Sequence, residues 1–227
     1  MKRIWFLLAL LAAVSLACSF GASAGSPTKA PAPTQAPPTK SSVLFHDDFS
    51  DPDSGWDRVK SDSGSLTDYV DGRYRILVNE TNSDVWANPG EDFSGPIVIT
   101  VDAVKNGGPD DNDFGVLCRY QDENNYYFFV ISSDGYAGIG RVVDGQQTVL
   151  TGNGKMVPSD KLPKDPHVTY HIKATCIGQV LTLYVNGKKI ASTKDGTLTS
   201  GDVGLMAGTF DNAGTDILFD NVVVRQP

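Results

Sequence analysis

The sequence predicts an all-β protein whose folded part is an antiparallel β-sandwich, and three observations predict it. Apolar side chains recur at every second position in short runs such as Tyr74-Ile76-Val78, Ile97-Ile99-Val101-Ala103 and Tyr127-Phe129-Ile131, the period of a strand with one buried face. Asx-Gly pairs, which supply the positive φ of tight hairpins, stand between such runs at Asp71-Gly72, Asp134-Gly135, Asp144-Gly145, Asn186-Gly187 and Asp195-Gly196. From Val43 onward no i, i+3, i+4, i+7 pattern persists through three turns, so no long helix is expected.

The chain opens on Met1-Lys2-Arg3 and an apolar run from Ile4 to Ala17, the layout of a secretory signal over residues 1-24. The run falls short of the roughly 20 residues needed to span a bilayer. Two processing sites compete. Ser15-Leu16-Ala17-Cys18 resembles a bacterial lipobox, with Ser15 where Leu is preferred, and would leave Cys18 lipidated; Ala22-Ser23-Ala24 is a small-x-small site for ordinary secretion.

Residues 25-42 form a Pro/Thr-rich linker, with Pro27, Pro31, Pro33, Pro37 and Pro38 interleaved with Thr28, Thr34 and Thr39. Such a segment stays extended and disordered. At about 3.1 Å per residue it holds a domain on the order of 50 Å from its anchor. A stalk of this kind favours lipidation at Cys18, and the expected location is extracytoplasmic, as a membrane-anchored lipoprotein or, alternatively, a secreted protein.

With 19 Lys+Arg against 27 Asp+Glu the formal net charge is -8, and no block of basic residues occurs. A polyanion finds no electrostatic footprint here, so nucleic acid is excluded as a partner. Membrane contact is expected through the lipid anchor only. An apolar fraction of 40% suffices for a core in residues 43-227.

Within that domain the strands follow in order. Trp56, in Ser-Gly-Trp near the start, reads as a core plug; Tyr170-Ile172-Ala174-Cys176, Leu181-Leu183-Val185 and Ile217-Phe219 continue the alternation, with Asn186-Gly187 as the strongest hairpin signal. Gly115, Leu117 and Arg119 share one parity and Phe114, Val116 and Cys118 the other, so strict alternation sends Cys118 to the core and Arg119 outward. The same rule buries Tyr127, Phe129 and Ile131 and sends Tyr126, Phe128 and Val130 to the outer face.

The stretches HDDFSDPDSGW, FGVLCRYQDENNYYFFVISSDGY, LTLYVNGKKI and GDVGLMAGTFDNAGTDILFDNVVV resemble the concanavalin A-like lectin/glucanase superfamily. More narrowly they resemble the branch with the 3-keto-disaccharide hydrolase domain and related sugar-binding modules of bacterial envelope proteins. The resemblance implies a jelly-roll sandwich that binds carbohydrate on one sheet face, on the side reached by a Gly-x-x-x-Arg strand. It points to Arg119 with Tyr126 and Phe128 as a sugar platform, and to Trp86 and Tyr136 as further carbohydrate-binding candidates. Aromatic faces suit sugar C-H surfaces, and Arg, Asn and Asp fix hydroxyls by hydrogen bonds.

The glucanases of that superfamily set their acid and nucleophile at alternate positions of one strand, and no E-x-D-x-x-E run occurs here. The strand Ile97 to Val104 offers only Asp102, while Glu91 and Asp92 are adjacent and would face opposite ways. His46, His167 and His171 have no nucleophile partner and read as surface residues. No catalytic residue is assigned, and whether the protein is an enzyme stays open, with the balance against it.

Acidic groups at Asp110-Asp111-Asn112-Asp113, and at Asp47-Asp48 with Asp220-Asn221, read either as solvated turn carboxylates or as a structural calcium site, with Asp48 and Asp220 the better pair on the resemblance. No other cofactor is implied. Cys118 and Cys176 read either as a disulfide or as two buried thiols. The leading expectation is a secreted or lipid-anchored cell-envelope protein with a noncatalytic, lectin-like carbohydrate-binding domain. A glycoside-acting enzyme of the 3-keto-disaccharide hydrolase type and an envelope protein-interaction module are the alternatives.

Overall fold

The computed structural model describes residues 42-163, 165 and 168-227. The signal of residues 1-24, Cys18, all of the linker but Ser42, and His167 lie outside the described residues. The strands are β1 (Val43–Asp47), β2 (Val59–Lys60), β3 (Leu66–Val70), β4 (Arg73–Val78), β5 (Ser83–Ala87), β6 (Phe93–Ser94), β7 (Ile97–Gly107), β8 (Asn112–Asp122) and β9 (Asn125–Ile131). They continue with β10 (Tyr136–Val143), β11 (Gln146–Val149), β12 (Val157–Pro158), β13 (Tyr170–Ile177), β14 (Val180–Val185), β15 (Lys188–Lys194), β16 (Ser200–Thr209) and β17 (Thr215–Arg225). No helix occurs among the described residues.

The strands build two curled antiparallel sheets packed as a sandwich. The first runs β15-β14-β13-β7-β17-β4-β3-β2, with β1 also against β17; the second runs β11-β10-β9-β8-β16-β5, with β12 on β10 and β6 on β16. Local hairpins make only part of this order. Asp71-Gly72, Asp144-Gly145 and Asn186-Gly187 all have both residues at positive φ and turn β3 into β4, β10 into β11 and β14 into β15, as the dipeptides require. Asp195-Gly196 does not: neither residue has positive φ. Its carboxylate instead accepts hydrogen bonds from the Tyr127 hydroxyl at 2.5 Å and from Arg141 at 2.6 Å, so this dipeptide braces the link between the two sheets.

Between the sheets lies one core. Ile97, Ile99, Val101 and Ala103 of β7 meet Phe114, Val116 and Cys118 of β8 and Tyr127, Phe129 and Ile131 of β9, all essentially buried. Trp56 is 3% exposed; it stacks edge-on to Phe49 and satisfies its ring nitrogen on Asp47 at 2.9 Å, as a buried indole must. Cys118 of β8 and Cys176 of β13 are joined by a disulfide that ties one sheet to the other across 58 residues of chain. At the edge of the first sheet β1 pairs with the last strand, Val43 opposite Arg225, and Ser42 donates its hydroxyl to Gln226 at 3.0 Å.

Strict alternation fails at Arg119. The β8 register breaks between Cys118 and Asp122, and Arg119 takes φ 54°, the conformation of a β-bulge. The extra residue lets Cys118 and Arg119 both turn away from the outer face and restores Tyr120 to it.

Candidate functional site

The outer face of the second sheet carries a second apolar cluster, separate from the core: Leu117 of β8, Tyr126, Phe128 and Val130 of β9, Val142 of β10 and Met206 of β16. Glycines make the room for it. Phe128 stands opposite Gly140, where any Cβ would overlap the phenyl ring, so the ring lies flat on the sheet. Tyr126 and Phe128 are consequently 6% and 3% exposed, buried members of the face and not the open platform that alternation predicts.

What remains accessible at the rim of this cluster is the pair Trp86 and Tyr120, packed against the buried Tyr126. The rings of Trp86 and Tyr120 each lie 5.8 Å from that of Tyr126, and the Trp86 indole donates to the Tyr120 hydroxyl at 3.4 Å. Trp86 and Tyr120 are half-buried. Tyr120 also lines a cleft of about 460 Å³ with Glu91, Asp92, Gln121 and Asp202. Asp202 accepts the backbone N–H groups of Val203 at 2.7 Å and Gly90 at 2.9 Å. Burial outweighs those bonds and pushes its carboxyl up to about 6.

Asp84 of β5 and Asp113 of β8 occupy the same face. Each is the register partner of Gly208 on the strand between them. The Oδ1 atoms of both come closer to the place a Gly208 Cβ would take than the 3.0 Å real Cβ atoms keep, so the two carboxyls converge over the bare backbone. Asp113 is 9% exposed and its Oδ1 has no hydrogen-bond partner. Ion pairs among the described residues go to Asp68, Asp216, Asp110, Asp195 and Asp102 instead. Burial raises the pKa of both carboxyls, and the neighbouring Asp84 raises that of Asp113 further. The Tyr126 phenol is pushed up to about 12, first by burial and then by Asp84, Tyr120 and Asp113.

The remaining sequence candidates lie apart. Arg119 is 4% exposed, donates to the carbonyls of Leu198 at 2.7 Å and Gly178 at 2.8 Å, and lies over the core ring of Tyr127. Its expected outward position is corrected by the bulge. Tyr136 is 41% exposed and lines a separate pocket of about 400 Å³ with Ser132, Asp134 and Met156, toward the end of the face remote from Asp202. Asp48 is fully exposed and caps its own turn through Ser50 at 2.6 Å; Asp220 accepts the Asn221 N–H at 2.8 Å. Among the described residues no three His, Cys, Asp or Glu side chains gather as metal ligands.

Asp84 and Asp113 escaped the search for alternate carboxylates on one strand because they come from two strands. The readable signal is Asp84-x-Trp86, a carboxylate and an aromatic side chain on one strand face.

No protein-family model and no curated protein matches the chain. Solved structures do. A protein of unknown function with a galectin-like fold from Bacillus subtilis superposes with a TM-score of 0.62 at 12% identity, over 81% of this chain and 96% of that one. The fold is that of the concanavalin A-like lectins and glucanases. The carbohydrate-binding module CBM66 from Bacillus subtilis shares the concanavalin A-like sandwich with a TM-score of 0.56 at 16% identity, over 76% of this chain and 96% of that one. An endo-β-1,3-glucanase from Pyrococcus furiosus shares it with a TM-score of 0.56 at 11% identity, over 82% and 94%. Identities of this size carry the architecture and leave the chemistry to the residues of the face itself.

Proposed function

We propose that the protein is a tethered, noncatalytic carbohydrate-binding module of the cell envelope, and that it holds sugar on the outer face of its second sheet. The observation that carries this reading is the half-buried pair Trp86 and Tyr120 packed on Tyr126, with Tyr120 also lining the polar cleft of Glu91, Gln121 and Asp202. Ring faces take the C-H side of a pyranose, and the cleft supplies acceptors and an amide for its hydroxyls. A carbohydrate-binding module among the fold's neighbours supports the same reading. The lipobox-like Cys18 and the Pro/Thr linker support an extracytoplasmic, lipid-anchored location.

The test is a glycan-array screen of the purified protein, with every ligand then incubated and examined for released product. Saturable binding without product, weakened tenfold or more by Tyr120→Ala or Trp86→Ala, is the expected result. Product release would make the protein an enzyme, and the absence of any glycan ligand would overturn the sugar reading.

A further inference from the structure

We propose that the ligand of this face carries a protonated amine, that it belongs to the class of unacetylated hexosamine oligomers, and that Asp84 and Asp113 receive its ammonium group over Gly208. The inference rests on the sugar-binding reading above and names its ligand class.

Two carboxyls aimed at one point repel each other unless one keeps its proton or a cation stands between them. The described residues supply no such cation: their ion pairs leave both acids out, and Asp113 keeps a buried oxygen without any partner among them. Gly208 has no side chain of its own, so both Oδ1 atoms close in over the strand at the place its Cβ would take. A calcium ion would need six to eight oxygens, and among the described residues no third acid joins the pair. An ammonium group needs less. It presents three N–H donors from one compact charge, enough to serve both carboxyls.

The aromatic setting agrees. Tyr126 lies close enough to feel the charge of both acids and stacks against Trp86 and Tyr120. A cation bound beside these rings gains from their π faces, and a hexosamine on Trp86 and Tyr120 would extend its amine toward the two acids. Acetylation removes both the charge and two of the donors, so the site discriminates against the acetylated sugar.

The experiment is calorimetric titration of the full chain at pH 6 with glucosamine oligomers, with their N-acetylated counterparts and with glucose oligomers of the same linkage. The glucosamine oligomer is expected to bind at least tenfold more tightly than either neutral oligomer. Asp84→Asn and Asp113→Asn should each bring that ratio close to one. Asp68→Asn, a surface acid on the first sheet, should leave it unchanged, which separates the pair from the attraction of an acidic protein for any cation. Thermal melts of the two variants establish that they fold. Equal binding of all three oligomers would overturn the amine assignment while sugar binding stands, and a ratio insensitive to Asp84→Asn and Asp113→Asn would overturn the placement. Failure of every oligomer to bind would overturn both readings.

Discussion

The Tyr127 hydroxyl donates to Asp195 at 2.5 Å and accepts the Leu198 N–H at 3.1 Å, so a core residue of the second sheet holds the segment that leaves the first. Burial acts to raise the Asp195 pKa, but hydrogen bonds from Tyr127 and Thr197 and the charge of Arg141 outweigh it, and the carboxyl sits below its ordinary value. A depressed carboxyl stabilises the fold above its unfolded pKa, and that stability is lost as pH falls through the folded value. Melts of the wild type should therefore lose stability from about pH 4 downward, and Asp195→Asn should lack this part of the acid limb. At pH 7 the substitution is expected to cost about 1–3 kcal/mol through the lost charged hydrogen bonds. An unchanged acid limb would remove Asp195 from the account.

Breaking the Cys118-Cys176 bridge releases a 58-residue loop in the unfolded chain. In the chain-entropy model a loop of that size is worth about 4 kcal/mol. The double variant Cys118→Ala/Cys176→Ala should lose about that much in denaturant unfolding, and the wild type under reductant should move the same way. A loss below about 1 kcal/mol would mean that the cross-link adds little to the stability of the fold.

Gly208→Ala puts a methyl group against both Asp84 and Asp113. Overpacking of this kind costs about 1–3 kcal/mol. Removing one of the two opponents should return part of the loss, so Gly208→Ala/Asp84→Ala is expected to melt above Gly208→Ala. Additive effects of the two substitutions would mean that the strand shifts to make room without involving the carboxyl.

Asp202 titrates at about 6, raised by burial. For a raised carboxyl the sign is opposite to that of Asp195: the folded state keeps a proton the unfolded chain has lost, so stability declines as pH climbs from about 4 to about 6 and is level beyond. Asp202→Asn should flatten that decline relative to the wild type. The same ionisation makes Asp202 a better acceptor for sugar hydroxyls above pH 6, and glycan affinity should rise across that range in the wild type and stay level in Asp202→Asn.

Local features were legible and nonlocal ones were not. Tyr127, Phe129 and Ile131 face the core because alternation needs only one strand, and Asn186-Gly187 turns because two residues suffice to set a hairpin. Arg119 went astray because a single bulge, with a non-glycine residue at φ 54°, shifts the parity of the remainder of β8. Nothing in the run Phe114 to Tyr120 announces where the extra residue falls. Asp84 and Asp113 become neighbours only through β16, a strand that arrives far later in the chain, and pairing across such a distance is a property of the whole sheet.

The pairing of β1 with β17 brings Ser42 beside Gln226. Since the ends of the domain meet, a short peptide joining them would close the chain into a ring. The ring could then be reopened at the exposed Asn186-Gly187 turn between β14 and β15 without removing any strand. Such a circular permutant would leave the outer face of the second sheet whole while moving the chain ends to the opposite flank of the first. On the proposed reading as a tethered module, the direction in which the domain is held is set separately from what it holds.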